Sequence, residues 1–314
     1  MNEHDEFAIE AHGLRKEFKH TVAVAGLDLN VKRGKIFGLI GPDGAGKTTT
    51  IRLLSAVMLP SAGSARVMGY DVVKDAETLR HIIGYMPQRF SLYGDLTVQE
   101  NLDFFADVFD VRGQERQERI ERLLAFSRLT EFRQRRAAHL SGGMQKKLAL
   151  ACTLIHRPQV LFLDEPTTGV DPISRREFWD ILSDLHVAGV TLFVSTPYMD
   201  EAERCNRVGL MFGGQLIECG PPAQIKRLVP GELLSIWTPA LKQARQVVVG
   251  LEGVTEVQTY GDVLHVFVED MKQCQPVIEQ ALRKAGVPIT SIQPTPPRME
   301  EAFISLILHR RSAE

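Results

Sequence analysis

Residues 41–48, Gly41-Pro42-Asp43-Gly44-Ala45-Gly46-Lys47-Thr48, follow the pattern G-x-x-x-x-G-K-[ST] between an apolar run and a helical stretch. Glycines at this spacing let the backbone curl until its N–H groups face phosphate oxygens, and the helix that follows adds the positive end of its dipole. Lys47 supplies a point charge to the β and γ phosphates. Thr48 offers a hydroxyl to Mg²⁺, and Thr49 continues the loop into the helix. A second apolar run, Val160-Leu161-Phe162-Leu163, ends in Asp164-Glu165. Asp164 fits a Mg²⁺ partner. Glu165 fits the acceptor of a proton from attacking water, because a carboxylate within hydrogen-bond reach can take it. An acidic strand end is weak evidence alone, and becomes strong when paired with the glycine-rich loop.

Such residues need buried strands to hold them. Ile36–Ile40, Val160–Leu163 and Thr191–Ser195 are continuously apolar or small, as expected of central strands covered on both faces. Helices are expected at about 46–58, 97–110, 114–129, 141–156 and 172–188. This alternation predicts an α/β domain with a mostly parallel sheet. Phe7–Ala11 and Thr21–Val31 predict a small antiparallel sheet ahead of it.

Near residue 220 the texture changes. Gly220-Pro221-Pro222, Pro230-Gly231 and Thr238-Pro239 interrupt regular structure and read as a linker. Beyond them, strands are expected at Val247–Val249, Thr255–Tyr260, Val263–Val268 and Ile289–Pro294, with helices at Gln275–Ala285 and Met299–His309. The domain expectation is therefore a larger α/β domain over 1–230 and a small α+β domain over 231–314.

The 314 residues are 44% hydrophobic and 24% charged, which excludes disordered and collagen-like chains. Lys plus Arg is 37 and Asp plus Glu is 39, giving a formal net charge of −2, so the basic excess of a dedicated nucleic-acid binder is missing. The short basic clusters at Arg133, Arg135 and Arg136 and at Arg310 and Arg311 read as solvated faces. Met1–Phe7 is acidic and polar, unlike a secretory leader. No run approaches the roughly 20 apolar residues that span a bilayer. Cys152, Cys205, Cys219 and Cys274 are too scattered for a zinc site or disulfide framework and read as reduced thiols.

One stretch narrows the class. Leu140-Ser141-Gly142-Gly143-Met144-Gln145 precedes the second acidic strand, and in this order the chain resembles an ABC-transporter nucleotide-binding subunit from about residue 7 to 230. The resemblance implies that the Ser141 hydroxyl and the Gly142 and Gly143 amides contact ATP held by a facing subunit. It implies that Phe18 stacks on adenine, although Phe18 also fits an ordinary core position. Gln88, in Gly84-Tyr85-Met86-Pro87-Gln88, matches the Q-loop glutamine that touches Mg²⁺ and reports to a membrane partner; a solvent-facing loop glutamine is the alternative. Asp171, in Gly169-Val170-Asp171-Pro172, matches an aspartate that crosses the dimer interface, and as a helix N-cap before Pro172 it makes equal sense. The resemblance further implies that 1–230 is an ATPase domain whose region between Gln88 and Ser141, about 89–140, is a helical subdomain that receives a coupling helix of the permease. Its alternating charges, Glu115, Arg116, Glu118, Arg119, Glu121 and Arg122, read as a solvated face.

The resemblance has one clear departure. Family members place a histidine in a Ser-Thr-His pattern, where this chain reads Ser195-Thr196-Pro197. Proline has no side-chain donor and no N–H, so the contact to the γ phosphate is lost unless Thr196 or a partner replaces it, and the site built on this chain's own motifs is expected to hydrolyse ATP slowly or not at all beside a more complete ATPase. Asp43, where many members carry Asn, is a minor second departure. The wider pattern is similar to drug-resistance exporter ATPases that serve type-2 ABC permeases, especially the first half of tandem ATPases whose histidine is also missing. The resemblance implies ATP and Mg²⁺ as cofactors, a membrane permease and a second ATPase subunit as partners, in a homo- or heterodimer with the heterodimer favoured by Pro197, no nucleic acid, and a place on the cytoplasmic face of the inner membrane. Two other readings stay open here: a hydrolysis-deficient ATP-binding regulatory subunit, and a soluble ABC ATPase not linked to transport. The C-terminal domain is expected to be regulatory or dimer-stabilising, or simply to cap the ATPase domain.

Overall fold

The computed structural model describes residues 6–89 and 92–313, with side chains to 307. Met1–Asp5, Phe90, Ser91 and the side chains of Arg310 and Arg311 lie outside the described residues. The chain divides into two compact units, Met1–Pro222 and Ala223–Glu314.

In the first unit the order is β1 (Phe7–Phe18), β2 (Thr21–Lys32), β3 (Ile36–Ile40), α1 (Lys47–Leu54), β4 (Ala62–Val67), β5 (Tyr70–Asp71), α2 (Ala76–Ile82) and β6 (Ile83–Met86). Then come α3 (Val98–Val108), α4 (Gly113–Phe126), α5 (Gly142–Thr153), β7 (Val160–Asp164), α6 (Pro172–Val187), β8 (Thr191–Thr196), β9 (Arg207–Phe212) and β10 (Gln215–Gly220). An antiparallel sheet runs β2-β1-β4-β5. The main sheet runs β10-β9-β3-β8-β7-β6 and is parallel except at β10. Every residue of β3, β7 and β8 is buried, which is why their apolar residues run consecutively rather than alternating, with polar residues only at the strand ends. Ile40 pairs with Thr196 and Asp164 with Ser195. That register brings the turns after β3, β7 and β8 to one edge, the carboxyl edge where open α/β sheets bind ligands.

The helical region has its own core, built from Val98, Leu102 and Ala106 of α3, Ile120 and Leu124 of α4, and Leu148 and Cys152 of α5. A capping box starts α3: Glu100 N–H donates to Thr97 Oγ1 at 3.1 Å, and Thr97 N–H donates to Glu100 Oε2 at 2.7 Å. The charges of α4 are not all solvated. Arg116 donates to Asp103 Oδ1 of α3 at 2.7 Å and also pairs with Asp107, so this face of α4 fastens the two helices. All four cysteines are free thiols. Burial raises the Cys152 and Cys205 thiols, the latter to about 12.

The second unit follows with α7 (Pro222–Lys226), β11 (Glu232–Trp237), α8 (Leu241–Val248), β12 (Val254–Tyr260), β13 (Val263–Val268), α9 (Met271–Lys284), β14 (Ser291–Pro294) and α10 (Met299–Ala313). Its sheet order, β12-β13-β11-β14, is antiparallel throughout. This is the split β-α-β-β-α-β arrangement. Leu234, Ile236, Leu264 and Val266 pack on Ala244 and Val248 of α8 and Ile278 and Leu282 of α9. On β13 the alternate residue His265 is buried with Glu301 of α10, Nδ1 to Oε1 3.1 Å. The strand expected at Val247–Val249 is absent. Val247 and Val248 instead end α8, because Ala244 and Val248 recur at helical spacing and both are fully buried. Burial of that stripe overrides the strand preference of a three-valine run.

Candidate functional site

The loop after β3 depends on close backbone approach. A Cβ on Gly41 would sit 2.1 Å from Met211 O, and one on Gly46, at φ 105°, 2.3 Å from Ala23 O. Asp43 and Gly44 are exposed at the tip, while Ala45 is buried and Pro42 and Thr49 are half-buried. Asp43 is exposed, so solvent screens its carboxylate. Lys47 is 3% exposed; its ammonium donates to Gly41 O at 2.8 Å and Pro42 O at 3.0 Å and pairs with Glu165 Oε1 at 3.1 Å.

The end of β7 meets this loop. Thr48 Oγ1 donates to Asp164 Oδ1 at 3.0 Å, and Ser195 Oγ donates to the same oxygen at 2.7 Å. Burial pushes the Asp164 carboxyl above the ordinary range, and these two hydrogen bonds oppose the shift. Glu165 has φ 48°, a left-handed conformation that costs a non-glycine residue free energy and clusters at functional positions. Its N–H is held by Ser195 O at 3.1 Å and Ser195 Oγ at 3.0 Å. Its second carboxylate oxygen, Oε2, accepts from Gln88 Nε2 at 2.7 Å and from Thr168 Oγ1 at 3.3 Å. Lys47, Thr48, Gln88, Asp164 and Glu165, chosen from sequence, thus form one hydrogen-bonded group.

Ser195 and Thr168 belong to this group and were not among the sequence candidates. The signal for Ser195 was its place at the end of the neighbouring strand. Other candidates lie apart from the group: Ser141 caps α5, accepting from Met144 N–H at 3.4 Å, and Asp171 caps α6, accepting from Ser174 N–H at 2.9 Å and Ile173 N–H at 3.1 Å. The Ser174 backbone bond, with that from Ile173, holds the Asp171 carboxyl below its ordinary range. Among the described residues neither bonds to the Lys47 group. The two caps are near each other in space, because a Cβ on Gly143 would lie 2.5 Å from Ser174 Cβ and one on Gly142 would lie 3.8 Å from Gly169 O. Phe18 ends β1 with 44% of its surface exposed and the Lys16 ammonium 5.2 Å from its ring centre, which disposes of the core reading for that ring. Pro197 is half-buried, and Thr196 Oγ1 accepts from Tyr198 N–H at 3.0 Å within the same turn.

A phosphate loop opening α1, an acidic pair ending β7, a glutamine after β6 and a Ser-Gly-Gly cap on α5 together define an ATP-binding cassette. The ABC transporter family profile matches residues 24–168. The probable multidrug ABC transporter ATP-binding protein YbhF of Escherichia coli is 42% identical over 95% of this chain. The chain spans about half of that relative, 52%. The daunorubicin resistance ATP-binding protein DrrA3 of Streptomyces coeruleorubidus is 34% identical over 95% of each chain. Among solved structures, cbiO1 of Clostridium perfringens, part of the cbiONQ transporter complex, matches with TM-score 0.66 and 25% identity over 78% of this chain and 96% of that one. A dimeric MJ0796 cassette bound to ADP and Pi matches with TM-score 0.62 and 25% identity over 68% and 98%. The chain belongs to the ATP-binding proteins of ABC transporters, among those of the drug-resistance type.

Proposed function

We propose that this chain binds and hydrolyses ATP as the nucleotide-binding subunit of an exporter, driving a separate type-2 ABC permease. The observation that carries this is the convergence of Lys47, Thr48, Gln88, Asp164 and Glu165 at one sheet edge. The Lys47–Glu165 pair suggests the first event. When phosphate becomes the counterion of Lys47, Glu165 is freed from the ammonium and can accept a proton from water attacking the γ phosphorus. Gln88 and Thr168 keep its carboxylate aimed meanwhile.

Thr48 and Asp164 present two hard oxygens 3.0 Å apart, a donor set that fits Mg²⁺, which binds through few protein oxygens. Gln88 would be the third protein ligand. The metal would neutralise charge on the phosphates. Phe18, exposed at the end of β1, is the proposed adenine platform. Ser141, Gly142, Gly143 and Asp171 are proposed to serve the ATP of a facing subunit in a head-to-tail dimer, as their separation from this chain's own Lys47 group supports. A heterodimer with a second ATPase is favoured by Pro197.

Among the described residues no helix is long and apolar enough to cross a membrane. The subunit is proposed to sit on the cytoplasmic face of the inner membrane, bound to its permease. A cleft of about 480 Å³ lined by Val57, Arg80, Tyr85, Phe105, Val108 and His156 lies between the sheet core and the helical region and is the proposed seat of a permease helix. Residues 231–314 are proposed as an accessory domain, regulatory or dimer-stabilising.

Single-turnover hydrolysis of MgATP tests this reading. Glu165→Gln should abolish cleavage while leaving ATP binding intact. Pro197→His should raise the rate by about 10²–10³-fold, the size of one contact to a developing phosphoryl charge. A wild-type rate no greater than that of Glu165→Gln refutes hydrolysis by this chain, and equal brisk rates for wild type and Pro197→His refute the slow-site reading.

A further inference from the structure

Lys146 stands on α5 just past the Ser141-Gly142-Gly143 cap, yet its side chain turns away from that cap toward the chain's own Gln88. Its ammonium donates to the Gln88 carbonyl oxygen at 2.6 Å. Gln88 in turn sends its side-chain amide 2.7 Å to Glu165 Oε2. Three elements are therefore joined in series: the signature helix, the segment after β6, and the acid that ends β7. The next residue, Lys147, is committed elsewhere, to Glu177 of α6. Burial lowers the Lys146 pKa while Asp164 and Glu165 pull it back up, so the ammonium lies within the field of both carboxylates.

We propose that Lys146 is a positioning residue for hydrolysis, fixing the Gln88 segment so that the placement of Glu165 depends on where the signature helix stands. The proposal rests on the hydrolysis reading above. A hydrogen bond from an ammonium is short, strong and distance-sensitive. The Glu165 carboxylate has three partners, Lys47, Gln88 and Thr168. Once phosphate takes Lys47, Gln88 is the closer of the two that remain. A movement of α5 that stretches the Lys146 bond therefore loosens the stronger remaining hold on the acid. Since α5 carries the residues that serve the facing subunit's ATP, engagement of that nucleotide would reach this chain's own acid through Lys146.

The test measures MgATP turnover at saturating and limiting nucleotide for the full chain and its Lys146→Met, Lys146→Arg, Gln88→Ala and Glu165→Gln variants, with melting as a control. Lys146→Met should lower kcat about tenfold, the equivalent of one charge-assisted hydrogen bond, with KM and melting unchanged. Lys146→Arg, which keeps a cationic donor, should recover most of the rate. Lys146→Met should add nothing to Gln88→Ala, because Lys146 reaches Glu165 only through the Gln88 side-chain amide, which Gln88→Ala has already removed. An unchanged kcat in Lys146→Met, a loss confined to KM or melting, or a full additional loss on Gln88→Ala overturns the proposal while hydrolysis stands. Wild-type turnover no faster than Glu165→Gln overturns the hydrolysis reading, and this proposal with it.

Discussion

Two adjacent acids at the end of β7 are held in different ways. Asp164 accepts from Thr48 and Ser195 hydroxyls, whereas Glu165 has cationic and amide partners and a left-handed backbone. Ser195 serves both: its hydroxyl donates to Asp164 and accepts the Glu165 N–H. Ser195→Ala therefore leaves a buried carboxylate oxygen short of a donor, which typically costs about 1–3 kcal/mol. The expected outcome in denaturant titration is a loss of that size. Ser183→Ala, removing an exposed helix hydroxyl that back-bonds to Trp179 O at 2.9 Å, should stay within about 0.5 kcal/mol of wild type. Lys47, Thr48, Asp164 and Glu165 were legible in the sequence because each chemical role demands one residue type at one spacing. Ser195 was not, because small hydroxyl residues end many strands and only the pairing of Asp164 with Ser195 makes this one a partner.

The helices that carry no motif are tied down by side chains whose roles depend on packing. Arg119 shows this: it sits in the alternating charge run of α4 but donates to Ile155 O at 2.7 Å, just past α5. Charge alternation alone could not show which charges turn inward, as it could not show that buried Val248 belongs to a helix. His156 is the clearest case. Its Nε2 donates to Ile83 O of β6 at 2.8 Å, and its ring stacks on Phe109, next to the end of α3, with centroids 3.8 Å apart. It thus joins the helical region to the main sheet. Burial lowers its pKa, the Ile83 bond opposes this, and His81 and Arg119 lower it further. The folded pKa lies below the unfolded value of about 6.5, so the unfolded chain takes up the proton more readily. Stability from this group is complete above about pH 6.5 and is lost as pH falls toward the folded pKa. The melting midpoint of wild type should therefore fall more steeply between about pH 7 and pH 5 than that of His156→Gln, which keeps a donor and cannot titrate. Parallel slopes would show that His156 carries none of the acid sensitivity.

At the scale of the whole chain, the proposed nucleotide site falls in one of two units. Each has its own buried cluster: Ile9, Phe37, Ile51 and Phe162 are among those in the first, and Leu234, Val266, Ile278 and Leu282 in the second. Lys47, Thr48, Gln88, Asp164 and Glu165, the proposed nucleotide group, all lie before Pro222, where the chain divides. The linker read over the prolines of 220–239 holds a helix at Pro222–Lys226 and a strand at Glu232–Trp237; only the change of texture there was visible in the sequence, because proline and glycine punctuate structure locally. The order of strands beyond it was not, since sheet order depends on pairings between residues far apart. A ligand stabilises only the cooperative unit whose native form binds it, by about 2.7 kcal/mol at a hundred times its dissociation constant. Thermal unfolding followed by hydrogen exchange should therefore resolve two transitions. MgATP should raise the one that includes β3, β7 and α1, and leave the protection of β11, β13 and α9 where it was. Glu165→Gln should retain this selective shift, because it loses the proton acceptor and keeps the phosphate loop. Lys47→Ala should lose it, because the loop then has no side-chain cation for the phosphates. A single transition that moves as a whole with MgATP would instead show that the two cores unfold as one.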